Sequence, residues 1–369
     1  MTYHHFSATM HPMELVELFR KAEQLAADGE DDEARELFLR LTEFPETGAL
    51  AFFRLGEIEN RKKNPEESYI CHMKAFELEP DLAARFVDEQ RSGYVYTYRY
   101  TKVGETEVAQ CPLCNAPGEM HSVYNMCTNN DFLEGFNPVR IWRICRQCNH
   151  IFAAGYPDNL QKVLSSTAPE SHIAPRLQFL PGLSDTLARL RRFSHGNRML
   201  EVGVGAGELT SVAKEMLFDI TGVEIRKAYA QNVAARLDIA VSPVDFMDFT
   251  ADDPFDLLML GDVLEHTIKP LGTLEKANRL LVDGGILWIS TPNFESAFSF
   301  IMKDKDPMWR VCEHLNYFSY RSLMKALSLT GFEVVDYRSS KHYNGSMEVT
   351  ARRRDNKSQQ DDHAKCDAG

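Results

Sequence analysis

Between about residues 165 and 352, short apolar runs alternate with stretches of helical period. NRMLEVGV, FDITGVEI, IAVSPVDF, FDLLMLGDV, GGILWISTP, FEVVDYR and SMEVTARR have the length and composition of strands. Between them lie GELTSVAKEMLF, KAYAQNVAARL, KPLGTLEKANRLL and SYRSLMKALSLTG, whose apolar residues recur three and four apart, as on one helix face. Strands separated by helices return parallel to one another. The pattern therefore predicts an α/β domain over 161–352 with a doubly wound, mostly parallel, seven-stranded sheet. Residues 353–369 are polar and predict a disordered tail.

The first 94 residues carry helical periodicity throughout, with a repeat at an offset of 34 residues. Ala22 falls on Gly56, Ala34 on Ser68, Leu18 on Phe52 and Phe38 on His72. The second copy adds Leu55-Gly56, Ala75 and Pro80, and so resembles a tetratricopeptide repeat, a helix–turn–helix. Small residues let paired helices approach closely, and the proline ends the second helix. Two copies fall short of the roughly three that such arrays need for stability, so they are expected to lean on a further helix over Leu82–Gln90 or on the rest of the protein. Two readings stand: a helical pair that only packs, and a surface that recruits a polypeptide partner.

Residues 95–160 differ in character. YVYTYRYTKV predicts strand, and Cys111-Pro-Leu-Cys114 and Cys145-Arg-Gln-Cys148 supply four thiolates in two C-x-x-C pairs. That is the ligand set of a closed, tetrahedral, structural zinc site, a zinc ribbon. The 30 residues between the pairs imply an insertion near Asn125–Pro138. Cys127 and His150 are alternative ligands.

Composition narrows the function. Forty-one Lys and Arg against 54 Asp and Glu give a formal charge of -13, which disfavours nucleic acid as the main partner. No apolar run reaches about 18 residues, so no membrane span is expected. The N-terminus lacks a basic region and an apolar core, so no secretory signal is read and the cytoplasm is the expected compartment. Reduced cysteines there fit metal ligation.

The chemistry gathers at strand ends. The first strand runs into Glu201-Val-Gly203-Val-Gly205-Ala-Gly207-Glu208, a glycine loop opening a helix. The second ends at Glu224, a carboxylate able to accept from ribose hydroxyls. The third ends at Asp245-Phe246, a carboxylate for an adenine amino group beside a ring that can stack. The fourth ends in Gly261-Asp262-Val263-Leu264-Glu265-His266, and Leu281-Val-Asp-Gly284-Gly285 turns into the fifth. In order and spacing these resemble the class I S-adenosylmethionine-dependent methyltransferases over roughly Leu183–Arg352. The resemblance implies a Rossmann-like fold with S-adenosyl-L-methionine as cofactor. It places Gly203, Gly205 and Gly207 on the methionine part, Glu224 on the ribose, Asp245 and Phe246 on adenine, and Asp262 or Val263 in the outer pocket. Glu201 anchors the loop or faces the cofactor's amino group.

A zinc ribbon ahead of such a domain resembles sugar and polysaccharide methyltransferases, including sugar C-methyltransferases. Their second cysteine pair is followed, as in ICRQCNHIFAAGYP, by an apolar pair and Tyr-Pro, and Tyr343-Asn-Gly-Ser-Met-Glu-Val resembles their last hairpin. The resemblance implies a small-molecule acceptor: a sugar, nucleotide-sugar or glycan-related compound. A protein target held by the helical repeats is the alternative, and an RNA target the second alternative. In-line methyl transfer needs alignment and, for a protonated acceptor, a base. His314, in His314-Leu-Asn-Tyr317-Phe318-Ser319, is one candidate, as base or as loop brace; His266 is another. Tyr317 is a candidate hydrogen-bond donor. The aromatic insertion Asn293–Ser319 is expected to form an apolar lid.

Overall fold

The computed structural model describes residues 11–62, 64–79, 82, 104–126, 133, 135–137, 139–166 and 175–355. It divides into two units. One comprises Met1–Gly104, Met120–Phe132 and Asn137–Trp142; the other comprises Glu105–Glu119, Leu133–Phe136 and Arg143–Gly369.

Among the described residues the first unit holds four helices: α1 (Pro12–Asp28), α2 (Asp31–Leu41), α3 (Gly48–Arg61) and α4 (Pro65–Leu78). Pro12 and Pro65 stand where a helix has no use for the missing N–H. The His11 side chain and Glu14 cap the start of α1 reciprocally, and Gly29 ends it at φ 86°. Leu15, Ala22, Ala34, Phe38, Leu41, Ala51, Leu55 and Ile58 form one buried cluster. The crossing of α3 and α4 is tight. A Cβ on Gly56 would stand 2.7 Å from the His72 ring, and the Ser68 hydroxyl donates to the Gly56 carbonyl at 2.7 Å. Arg35 and Glu59 pair at 2.5 Å between α2 and α3. The expected helix over Leu82–Gln90 (beyond Leu82), Pro80, the YVYTYRYTKV strand, Cys127 and most of the Asn125–Pro138 insertion lie outside the described residues, as does the tail from 356.

Five short strands follow along the chain: β1 (Glu105–Glu107), β2 (Glu119–Asn125), β3 (Val139–Cys145), β4 (His150–Ala153) and β5 (Gly155–Pro157). β1 pairs antiparallel with β5. Next come α5 (Leu160–Ser166), α6 (Leu180–Leu190), β6 (Arg198–Val202), α7 (Glu208–Glu215), β7 (Asp219–Val223), α8 (Lys227–Leu237), β8 (Ala240–Ser242), β9 (Phe255–Gly261), α9 (Pro270–Leu280) and β10 (Leu281–Pro292). The described chain closes with α10 (Ala297–Met302), β11 (Asn316–Tyr317), α11 (Tyr320–Leu329), β12 (Phe332–Ser339) and β13 (Ser346–Arg353).

The seven-stranded sheet has the order β12-β13-β10-β9-β6-β7-β8. It is parallel from β10 to β8, while β13 is antiparallel to both β10 and β12. All seven expected strands are present. The third is shorter than read, because Pro243 follows β8 directly and cannot donate to the ladder. Successive side chains divide between two cores. Leu200, Val202, Leu258, Leu260, Leu287 and Ile289 pack with α9 and α11 residues such as Leu274, Ala277, Leu323 and Leu327. Met199, Leu257, Met259, Ile286 and Trp288 pack with Leu183, Leu187, Leu209 and Val212 of α6 and α7. A sheet covered on both faces needs nearly continuous apolar strands, which is what β9 and β10 are. Among the described residues no helix is long and apolar enough to cross a membrane.

Candidate functional site

The chain runs from β6 outward to β7 and β8, then returns to β9 on the other side of β6. The loops after β6 and β9 therefore part at the strands' carboxyl ends and leave a crevice, the usual ligand position in an open α/β sheet.

The loop after β6 has Gly203, Gly205 and Gly207 at φ 75°, 52° and 88°. A Cβ at Gly205 would meet nothing within 4 Å, so only its backbone angle demands glycine. Gly207 is pressed against α8, where a Cβ would lie 3.1 Å from Val233 and 2.7 Å from Arg236. Glu224, 4% exposed, accepts from the Gly205 N–H at 3.1 Å with one carboxylate oxygen and from the Arg226 N–H at 2.9 Å with the other. The carboxylate thus fixes the loop and sits beside the open side of Gly205. Glu201 is buried under the loop and accepts from the Thr210 hydroxyl at 2.5 Å, and burial pushes its carboxyl up to about 8. It is placed as the loop's anchor.

Past β8, the Asp245 carboxylate caps its own turn by accepting from the Met247 N–H at 2.7 Å and receives the Gln161 amide at 3.2 Å. A cavity of about 360 Å³ runs between Ile225, Pro243, Val244 and Asp245 on one side and Gln161, Lys162 and Ser165 of α5 on the other. Phe246 does not line this cavity. It turns into the core, with the Lys276 ammonium 5.6 Å from its ring centre. Burying that large apolar ring in the core satisfies it there.

Past β9, Asp262 holds φ 52°, in the left-handed region that an Asp tolerates better than most residues. Its N–H donates to the Ser290 carbonyl and its carboxylate accepts from the Ser290 hydroxyl. Burial raises this carboxyl to about 6. Glu265 is 1% exposed and accepts from the Thr291 hydroxyl at 3.0 Å. Burial, then the Asp262 charge, hold its carboxyl well above the ordinary range.

The two candidate bases are neighbours. The His266 and His314 rings lie 4.9 Å apart at 68°. The His266 Nδ1–H donates to the Glu313 carbonyl at 3.0 Å. Glu313 in turn pairs with Arg226 at 2.7 Å, joining the His314 loop to the loop of Glu224. Tyr317 lies elsewhere. It is 1% exposed, donates to Asp306 at 2.6 Å, and packs edge-on against Trp309. This is a bracing position; the hydroxyl is committed within the lid. Trp309 is buried as expected of a lid, whereas Phe300 and Ile301 on α10 point outward, 65% and 80% exposed.

Arg176 and Tyr343 complete the surroundings. Arg176 donates to the Tyr343 hydroxyl at 2.7 Å, with its guanidinium 5.7 Å from that ring centre. Burial, then the Asp262 charge, push Tyr343 up to about 12. Sequence reading assigns no role to Arg176 or α5: neither belongs to a spaced motif, and only the folded chain brings them to the crevice.

A family described as a methyltransferase domain matches residues 176–337. Residues 176–337 are a methyltransferase domain. It is of the class I, S-adenosylmethionine-dependent kind, with a Rossmann-like, mostly parallel sheet. An uncharacterized protein of Methanocaldococcus jannaschii is 28% identical over 145 residues, 39% of this chain and 68% of that one. A ubiquinone biosynthesis O-methyltransferase of a Caulobacter species is 28% identical over 131 residues, 32% of this chain and 51% of the enzyme. The chain thus spans about half the length of that enzyme. Among solved structures, the N-methyltransferase NodS of Bradyrhizobium japonicum with S-adenosyl-l-homocysteine is 16% identical. That match covers 54% of this chain and all of that one, with a TM-score of 0.41.

The methyltransferase domain is preceded by the cysteine cluster. Cys111, Cys114, Cys145 and Cys148 converge, with sulfur separations of 3.5 Å (Cys111–Cys148), 3.4 Å (Cys114–Cys145) and 3.6 Å (Cys114–Cys148). Sulfurs on one tetrahedral ion at about 2.3 Å stand close to these distances. Each pair ends in an asparagine of left-handed conformation: Asn115 at φ 59° and Asn149 at φ 54°. Their N–H groups donate to the Cys111 and Cys145 carbonyls at 2.9 and 2.8 Å. The repeated C-x-x-C-N was visible in the sequence and marks two equivalent knuckles. Cys148, with the Leu113 and Cys114 N–H groups, lowers the Cys111 thiol to about 6. His150 stands apart from the cluster: its Nε2 is 3.0 Å from the Asn316 side-chain oxygen, and burial lowers it to about 4. The donor set fits zinc in number, softness and spacing.

Proposed function

We propose that the chain methylates a small molecule from S-adenosylmethionine, with a hydroxylated, sugar-like compound as acceptor. The observation that carries this is the Gly203–Gly207 loop at positive φ, latched by the Glu224 carboxylate beside the crevice. S-adenosylmethionine supplies a methyl group on a cationic sulfur. In this reading Gly203 and Gly205 let the backbone approach the donor's methionine part, while Glu224 accepts from its ribose. Asp245 and the cavity against α5 receive its adenine. Asp262 and Arg176 line the outer pocket. The His266–His314 pair stands where an acceptor's proton would be taken, and the loop bearing His314 excludes water.

Zinc at Cys111, Cys114, Cys145 and Cys148 has a structural part in this reading. The ion would fix the knuckle from which β4 pairs with β11, and Ser319 donates to the Asn149 carbonyl at 2.8 Å. The ribbon thereby braces the His314 loop. The assignment extends to three domains, 1–94, 95–160 and 161–352.

Glu224→Gln tests the site. Titration calorimetry with S-adenosylhomocysteine should show binding weakened by about 1–3 kcal/mol, the cost of a lost charged hydrogen-bond partner. Wild-type protein that gives no heat retires the reading. Mass analysis of a hydroxylated-metabolite panel then identifies the acceptor.

A second reading rests on the 34-residue recurrence and the tight Gly56–Ser68 crossing, which suit tetratricopeptide-like repeats that recruit a protein target. Capture of a polypeptide that survives Gly205→Ala and is lost on deleting residues 1–90 supports it; unchanged capture and activity after the deletion retire it. An RNA acceptor is disfavoured by the -13 charge.

A further inference from the structure

We propose that Glu265, His266 and His314 form a divalent transition-metal site, separate from the cysteine cluster, at the position where the acceptor is expected. One ligand atom from each lies within 4.8 Å of the others. The carboxylate gives an independent sign. Glu265 is 1% exposed, and its Oε1 has no hydrogen-bond partner among the described residues, while Thr291 holds Oε2. A buried carboxylate oxygen without a partner is costly unless a cation or proton meets it.

The supporting groups orient the ligands. Since a carbonyl can only accept, the Glu313 oxygen fixes the proton of His266 on Nδ1 and leaves the neutral ring's lone pair on Nε2. A ligating histidine is oriented by a partner of this type. The backbone ties the two segments together: the Leu315 N–H donates to the Glu265 carbonyl at 2.8 Å, and the Asn316 amide donates to the Thr267 carbonyl at 2.7 Å. The ligands sit on braced turns, as a preformed site requires.

Two imidazoles and one carboxylate suit zinc, iron or cobalt better than magnesium or calcium. Bonds of about 2.0–2.2 Å need the ligand atoms drawn somewhat closer, a change that side-chain rotation supplies. Three protein ligands leave open positions for an acceptor oxygen, and an ion there raises a bound hydroxyl's acidity. The imidazoles would then be ligands and proton loss would be promoted by the cation. That consequence rests on the methyl-transfer reading; occupancy of the site does not.

The test is a Co2+ titration of the full-length, metal-stripped chain, with zinc content by elemental analysis in parallel. The expected result is two ions per chain. One gives thiolate charge-transfer absorption; the second adds visible bands without further thiolate absorption. Glu265→Gln and His314→Gln should each lose only the second ion. A single ion in wild type overturns the proposal, as does a second ion that survives both substitutions. If a variant fails to fold, the wild-type titration still decides, because only the second ion lacks the thiolate band. Calorimetry with S-adenosylhomocysteine on the same samples keeps the outcomes apart. Cofactor binding without a second ion sinks the metal site alone; a second ion without cofactor binding sinks the methyl-transfer reading alone.

Discussion

Gly205 and Gly207 carry the same signature in the sequence and have different physical reasons. Gly205 needs only its φ of 52°, with open space where a side chain would go, whereas Gly207 also abuts Val233 and Arg236. Alanine at a left-handed position costs about 1–2 kcal/mol. Gly205→Ala should therefore destabilise by about that amount, and Gly207→Ala by more, in urea melts; the opposite order would contradict the packing. Glu201 offers a second residue-level check. Its ordinary value is 4.5 and its folded value about 8, so the folded state holds the extra proton between them. Stability from this group is complete below pH 4.5 and is lost as pH rises through 8. Glu201→Gln should remove that decline, so thermal melts of the two proteins should differ in slope between pH 5 and 8. Parallel curves would mean that Glu201 is charged in the fold. Both glycines and Glu201 were legible because spacing alone marks a loop after a strand. Phe246 turns into the core, and a strand-end aromatic looks the same in sequence whether it faces a ligand or the core. Arg176 was illegible because its partners, Tyr343 and Asp262, are distant in sequence.

Among elements, the strands were read most reliably. β9 and β10 are apolar on both faces, and the split of neighbouring residues between two cores explains why. The short α5 and the outer helix α6 escaped, α5 because seven residues hold too little periodicity. The knuckle elements carry their own consequence. Through β4 and β11 they reach the loop that bears His314, while the glycine loop is latched directly by the Glu224 carboxylate. Metal removal, or Cys148→Ser, should therefore lower the thermal midpoint and slow turnover while leaving S-adenosylhomocysteine affinity within a few-fold, by melts, initial rates and calorimetry. A collapse of cofactor affinity with retained turnover would reverse that picture.

At the scale of the molecule, every residue of the candidate cofactor site belongs to the second unit, from the glycine loop to α5. Deleting residues 1–90 should leave cofactor affinity unchanged by calorimetry, whatever it does to an acceptor or partner. A lost cofactor site would mean that this unit does not stand on its own groups. The helical start and the α/β sheet were each open in the sequence, because periodicity changes character between them. The acceptor was not, since no spacing encodes the shape of a crevice.

The position of β13 bears on how the protein is made. β13 is inserted between β10 and β12, and its Met347, Val349 and Ala351 are fully buried. Until residues 346–353 leave the ribosome, β10 has an open flank and β12 has no neighbour at all. Nascent chains arrested before that point would carry an unpaired apolar edge, the template on which strands of separate molecules join. Stop codons placed between β12 and β13, within residues 340–345, should therefore yield aggregates in place of a soluble, shortened chain.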